Sequence, residues 1–270
     1  MEKRGKVVFV GAGPGDPELI TVKAKTYIED ADVVIYAGSL VNEEIVKRWA
    51  RKDAEKINSA NLTLEEISKI MIERAKEGKL VVRLKSGDFS IYGALMEEVW
   101  ALQEAGIPYE FVPGITAAIA AASVAGIELT LPKISQTVII TRGSARVEME
   151  GSIKDYAPFV NKGASLVIYT GVHIVEKVYR ELKEGGVSDD TPAIVVYKAT
   201  WPDQKVIKCT VGELVKRVKE EKVFKDAVII VGKVADPDRY KDLVRSSVYD
   251  PNHAHSFRPK RKGNTPNDVD

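Results

Sequence analysis

The chain has 270 residues, 44% of them hydrophobic and 29% charged, a composition that suits a globular protein large enough to bury a core. Forty Lys and Arg against 39 Asp and Glu leave a formal charge of +1, which excludes a global pull toward nucleic acid or a membrane surface. The one cysteine, Cys209, excludes an intrachain disulfide and a cysteine-based zinc cluster and fits a reducing, cytoplasmic compartment.

The first element is a short apolar strand at Lys6–Val10, too short for a signal-peptide core. It runs into Gly11-Ala12-Gly13-Pro14-Gly15-Asp16-Pro17. Alternate glycines let the backbone turn sharply and approach a ligand, and the two prolines stiffen the loop. Apolar spacing at Leu19, Val22, Tyr27 and Ile28 then predicts a helix near Glu18–Glu29. Strand, glycine loop and helix form the nucleotide-site pattern of α/β proteins. Asp16 stands where a dinucleotide fingerprint needs its third glycine or alanine, and it would face a pyrophosphate poorly. The loop therefore points to a nucleoside-type ligand without that phosphate.

Strands are expected next at Asp32–Tyr36, Leu80–Leu84 and Tyr109–Val112, with helices near Asn42–Ala50, Leu64–Glu77 and Gly93–Ala105. Thr63 and Glu66 form a capping box before an apolar stripe of Leu64, Ile67, Ile70 and Met71, and Gly78 ends that helix. Pro113-Gly114 breaks the chain ahead of an alanine-rich helix, Ile115–Ala125, able to pack closely on another backbone or subunit. The apolar stretch from Ile115 to Ile127 is far below the roughly 18 residues of a membrane span. Gly126 to Pro132 reads as a linker.

A second set of strands follows at Thr137–Thr141, Ser165–Tyr169, Ala193–Tyr197, Lys205–Cys209 and Ala227–Val231, with helices near Val172–Lys183 and Glu213–Lys222. Thr210 and Glu213 form another capping box. Two strands with no helix between them, Ala193–Tyr197 and Lys205–Cys209, predict a hairpin and a mixed sheet. The expected organisation is an N-terminal α/β lobe over 1–113, a connection over 114–131, a C-terminal α/β lobe over 132–240 and a flexible tail over 241–270. His253 and His255 in that tail lack the partners a metal site needs, and Arg258, Lys260, Arg261 and Lys262 read as solvated charge. Cys209, ending a strand, reads as a small packed residue.

Three further segments carry the chemistry. Ser86-Gly87-Asp88 follows a strand directly, where ligands gather in open α/β sheets, and both a capped turn and a ligand site fit it. Pro113-Gly114-Ile115-Thr116-Ala117 places a turn before a helix N-terminus with free N–H groups. Tyr197-Lys198-Ala199-Thr200-Trp201-Pro202-Asp203-Gln204 joins the hairpin strands with an aromatic, cationic loop suited to a large flat ligand.

Taken in order, Val10 to Pro17, Ser86-Gly87-Asp88 with Ile91-Tyr92-Gly93, and Pro113 to Ala117 resemble the tetrapyrrole methylase family, over roughly Lys6 to Val234. Gln136 to Arg142, Asp190-Thr191-Pro192 and Val195 to Asp203 resemble its precorrin-4 C-11 branch. The resemblance implies two α/β lobes with the methyl donor S-adenosylmethionine in the cleft between them, a corrin-precursor substrate and a homodimer. It implies cofactor contacts from Pro14, Ser86, Gly87, Asp88, Ile91, Thr116, Ala117, Thr170 and Ala199. Substrate contacts are expected from the aromatic Trp201 and from the cations Arg83, Lys85, Arg142 and Lys198, which would meet the substrate's carboxylates. The chain departs from the family in carrying Phe89 where a proline usually follows the Gly-Asp pair. No catalytic acid, base or metal set is evident, and members that act on uroporphyrinogen, or diphthine synthase, remain alternatives, as does a non-catalytic tetrapyrrole carrier.

Overall fold

The computed structural model describes residues 5–143, 150–244 and 246. The expected tail, with its two histidines and basic run, lies almost wholly outside them.

The first half alternates β1 (Lys6–Gly11), α1 (Val22–Asp30), β2 (Val33–Tyr36), α2 (Glu43–Trp49), β3 (Glu55–Asn58), α3 (Leu64–Lys76), β4 (Leu80–Lys85), α4 (Leu95–Glu104) and β5 (Tyr109–Val112). Its five strands form a parallel sheet in the order β3-β2-β4-β1-β5. The inner strands are near-continuous Val, Ile and Leu because helices cover both faces. Val8, Val10, Val34 and Leu84 pack with Ala24, Ile28 and Ile45 on one face. Val7, Phe9, Ile35 and Val81 pack with Ile67, Met71, Val99 and Leu102 on the other. The expected capping box at Thr63 and Glu66 is formed.

The sequence reading missed β3. It is an edge strand with Ile57 as its one apolar residue, so no hydrophobic run marks it. The helix expected over Glu18–Glu29 is split. Asp16 caps a 3-10 turn at Pro17–Leu19, and Thr21 caps α1 by accepting from the Ala24 N–H at 3.1 Å. The helix expected from Gly93 begins at Leu95, because Tyr92 and Ala94 take left-handed backbone, φ +53° and +45°.

After α5 (Ala117–Ala125), the second half runs β6 (Val138–Arg142), α6 (Ile153–Tyr156), α7 (Pro158–Asn161), β7 (Ser165–Tyr169), α8 (Val175–Glu184), β8 (Pro192–Tyr197), β9 (Lys205–Thr210), α9 (Leu214–Glu220) and β10 (Ala227–Val231). The sheet order is β6-β7-β10-β8-β9, parallel between β6 and β7 and antiparallel elsewhere. The hairpin of β8 and β9 is present as the sequence predicts. Helices α6 and α7 are four residues each, too short to show a period, and were not foreseen. After β10, Val234 and Ala235 are buried and a 3-10 turn spans Pro237–Tyr240.

One face of this sheet packs against α6, α8 and α9 through Ile153, Val178, Leu182 and Leu214. The other packs against α5, whose alanines lie on Val167, Ile194, Val196, Val228 and Ile230. The small side chains of α5 are thus used for close packing inside the chain. Among the described residues, no helix is long and apolar enough to cross a membrane.

Candidate functional site

The parallel register of β1 and β4 pairs Val10 with Leu84 and Gly11 with Lys85, so the two following loops emerge side by side. Gly13 and Gly87 then exchange both backbone hydrogen bonds, at 3.1 and 2.9 Å. Each has positive φ, +74° and +61°, which a side chain would disfavour. The third motif closes onto the same point. A Cβ on Gly114 would lie 2.4 Å from the Gly87 carbonyl oxygen, and one on Gly11 would lie 2.5 Å from the Gly114 nitrogen. Three distant motifs therefore meet backbone on backbone, and glycine is the residue that lets them.

Asp88 ties the second motif to the third. Its Oδ1 accepts from the Ser90 N–H at 2.8 Å and from the Ser90 hydroxyl, and its Oδ2 accepts from the Gly114 N–H at 2.7 Å. Burial opposes the charge, but these hydrogen bonds outweigh it and hold the carboxyl below its ordinary range. Phe89, where a proline was expected, packs its ring 5.6 Å from that of Phe111. Packing and hydrogen bonds stiffen this turn in place of a proline ring.

The N-terminus of α5 faces the same space. Thr116 is its N-cap residue, yet its side chain makes no cap bond. The Tyr169 hydroxyl at the end of β7 takes that place. It accepts from the Ala118 N–H at 2.8 Å and lies 2.5 Å from the Thr116 hydroxyl. Burial raises the Tyr169 phenol above its ordinary range, so it stays neutral.

Between the two sheets these parts enclose a cleft of about 350 Å³, within the range of small-molecule sites. Pro14, Ser86, Gly87, Asp88 and Ile91 line it from the first half of the chain. Thr116, Ala117, Thr170 and Ala199 line it from the other side. These are the nine positions to which the family resemblance assigns the cofactor. Tyr92, Thr170, Lys198 and Asp226, four of the eight non-glycine residues with positive φ among those described, line the same cleft. Such backbone is held by its surroundings and clusters where ligands bind.

The five expected substrate contacts separate. Lys198 and Trp201 line the cleft. Lys198 pairs with Asp203 at 2.8 Å, a hydrogen bond that raises its pKa, and its ammonium lies 5.2 Å from the Trp201 ring centre. Arg142 stands beside the cleft, its guanidinium 5.7 Å from the ring centre of the cleft residue Tyr92. Arg83 and Lys85 are not among the lining residues. Both are buried, 4% and 7% exposed, and both meet the Glu98 carboxylate, at 3.2 and 2.6 Å. Their position in a central strand points them under α4, so they hold the sheet to that helix and do not reach a ligand's carboxylates.

Sequence reasoning missed Ser39, Leu40, Tyr92, Tyr169, Val196 and the Lys225–Val228 segment. The segment opens β10, and strand starts are not where α/β ligands gather. Here β10 runs antiparallel to β7 and β8, pairing Val228 with Tyr169 and Ala227 with Tyr197, so its start lies at their C-terminal ends. Tyr169 and Tyr92 each adjoin a motif position, which was the available signal.

A parallel α/β sheet, a mixed one and a cleft between them built from glycine turns define a two-lobed nucleoside-type binding fold. The tetrapyrrole (corrin/porphyrin) methylase family matches residues 6–215, and the chain belongs to that family. Among its relatives is a cobalt-precorrin-4 C(11)-methyltransferase of Methanocaldococcus jannaschii, 46% identical over 264 residues, covering 97% of this chain and 99% of the relative. The X-ray structure of a cobalt precorrin-4 methyltransferase of cobalamin biosynthesis superposes with a TM-score of 0.82 at 40% identity, over 86% of this chain and 96% of that one. Uroporphyrin-III C-methyl transferase from Thermus thermophilus, solved with S-adenyl homocysteine, gives a TM-score of 0.72 at 31% identity, over 85% and 98% of the two chains.

Proposed function

We propose that this protein transfers a methyl group from S-adenosylmethionine to C-11 of cobalt-precorrin-4 or precorrin-4, a step of cobalamin biosynthesis. One observation carries the reading: the nine positions that the resemblance assigns to the cofactor all line a single cleft. The cleft suits a nucleoside donor. Its walls are largely apolar at Ile91, Ala117, Val196 and Val228, with hydroxyls from Ser86, Thr116 and Thr170 at intervals. The closely packed glycines bring the loops beneath it together backbone on backbone.

The sulfonium supplies a methyl group that is already activated. The protein's part is to align donor and acceptor and keep water out, and orientation of this kind can supply roughly 7–11 kcal/mol. Asp88 makes three hydrogen bonds and Tyr169 two, and both hold the shape of the cleft floor. Of the expected cations, Lys198 lines the cleft and Arg142 stands beside it, which supports them as partners for substrate carboxylates, with Trp201 as an aromatic surface.

Methylation of uroporphyrinogen-III is the second reading, favoured by the likeness to the Thermus thermophilus structure. Parallel incubations with labelled S-adenosylmethionine and cobalt-precorrin-4, precorrin-4 or uroporphyrinogen-III separate them by product mass and methyl position. Label transferred to uroporphyrinogen-III alone would overturn the first reading. A cytoplasmic homodimer belongs to the same proposal. Phe111, 43% exposed on the edge strand β5, and the single cysteine support it, and sedimentation velocity tests the assembly.

A further inference from the structure

The loop between β8 and β9 does more than line the cleft; it grips the opposite lobe. The Trp201 indole N–H donates to the Pro14 carbonyl at 3.0 Å, and the Asp16 N–H donates to the Thr200 hydroxyl at 3.0 Å. From the first lobe's own side, the Asn42 amide donates to the Gly15 carbonyl at 2.8 Å. The Pro14-Gly15-Asp16 turn is therefore held at each residue, through two carbonyls and one N–H, and the two bonds to Thr200 and Trp201 cross between lobes. Gly15 is shaped by this grip. A Cβ there would lie 2.0 Å from Trp201 Nε1 and 2.1 Å from its Cδ1. Thr200 holds left-handed backbone at φ +70°, an outlying conformation for a β-branched residue. Its N–H donates to Gln204 Oε1 at 2.7 Å, which helps keep it there. Strain of this kind persists where the surroundings impose it and points to function.

We propose that Thr200 and Trp201 are positioning residues for methyl transfer, acting as a clasp that fixes the Pro14–Asp16 turn across the cleft and so sets the spacing of the lobes around the donor. This rests on the methyl-transfer reading above. Thr200 acts through the cofactor-side turn, so losing its half of the clasp lowers turnover and donor affinity and leaves the tetrapyrrole KM nearly unchanged.

The test uses the full-length protein. Thr200→Gly removes the hydroxyl acceptor and relieves the left-handed strain together. Its melting temperature stays level or rises, while kcat falls and the Kd for S-adenosylhomocysteine rises, each by about tenfold, the effect of losing one hydrogen bond. Thr200→Asn accepts the same backbone and keeps an oxygen acceptor, and it restores turnover. Gly15→Ala costs turnover in the unaltered protein both by driving the indole away and by its own backbone at φ +157°, and in a Trp201→Ala background the cost shrinks to the backbone share alone. Turnover in Thr200→Gly equal to that of the unaltered protein, or a Gly15→Ala cost that is the same in both backgrounds, overturns the clasp alone. An unaltered protein that fails to bind S-adenosylhomocysteine overturns the clasp and the functional reading together.

Discussion

The Asp88 carboxylate and the Gly114 N–H lie 2.7 Å apart and join two segments that are 26 residues apart in the chain. With the paired glycines 13 and 87, this bond makes one floor out of three loops. Asp88→Asn puts an amide donor where an N–H donor already points. We expect a cost of about 1–3 kcal/mol in stability, the range for leaving a buried partner unsatisfied, with weaker S-adenosylhomocysteine binding. Denaturant titration and calorimetry read these out, and an unchanged Kd would remove Asp88 from the site.

The same group makes a pH prediction. Its folded pKa is held down, so its contribution is present above the unfolded value of about 3.9 and fades as pH falls through the lower folded value. The stability gap between the unaltered protein and Asp88→Asn should therefore be full near neutrality and shrink in acid below that point. Melting curves across pH 7 to about 3 test the sign; a gap that widens in acid contradicts it.

Arg83, Lys85 and Glu98 form a buried cluster with two cations and one carboxylate. Burial first, and the Arg83 charge second, lower the Lys85 pKa. Removing the carboxylate leaves both cations uncompensated, so Glu98→Ala should cost about 3–5 kcal/mol. Adding Lys85→Met should recover part of that loss. A double variant no more stable than Glu98→Ala would show that Lys85 carries no penalty.

Tyr169→Phe deletes the hydroxyl that caps α5. The Ala118 N–H and the Thr116 hydroxyl each lose a partner, and about 1–2 kcal/mol of stability should go with them. Because Thr116 and Ala117 line the cleft, donor affinity should drop as well. Equal Kd values for the two proteins would confine Tyr169 to a structural role.

Lys198→Ala should raise the tetrapyrrole KM, most strongly at low salt, and leave donor affinity nearly unchanged. The ion pair with Asp203 moderates the effect, since that carboxylate already occupies the ammonium. A KM that does not respond at any salt concentration would remove Lys198 from the substrate site.

Burial pushes the Cys209 thiol up to about 11. Thiol reagents attack the thiolate, so the folded protein should label slowly at pH 8 and quickly once denatured. Rapid labelling of the native protein would contradict its packed position.

Much of this protein is legible from its residues alone. Apolar runs mark β1, β2 and β4 because a parallel sheet covered on both faces needs side chains that are apolar on both sides. The caps at Thr63 and Thr210 are local chemistry, set within three residues. The glycine and proline motifs declare turns because few other residues adopt them. Local signals failed where the structure is decided at a distance. Strand β3 exists because β2 offers it an edge, and the start of β10 reaches the cleft because that strand runs antiparallel.

The cations show the same division. Arg83, Lys85 and Lys198 all stand at or near strand ends and look alike in sequence. Tertiary structure turns the first two inward onto Glu98 and leaves Lys198 at the cleft. The sequence alone determined the residue types, the turns and the family. Which charges face a ligand, and that Trp201 reaches across to Pro14 through the space Gly15 leaves, was decided by packing between elements nearly 190 residues apart, 187 for that bond, a separation no local pattern encodes.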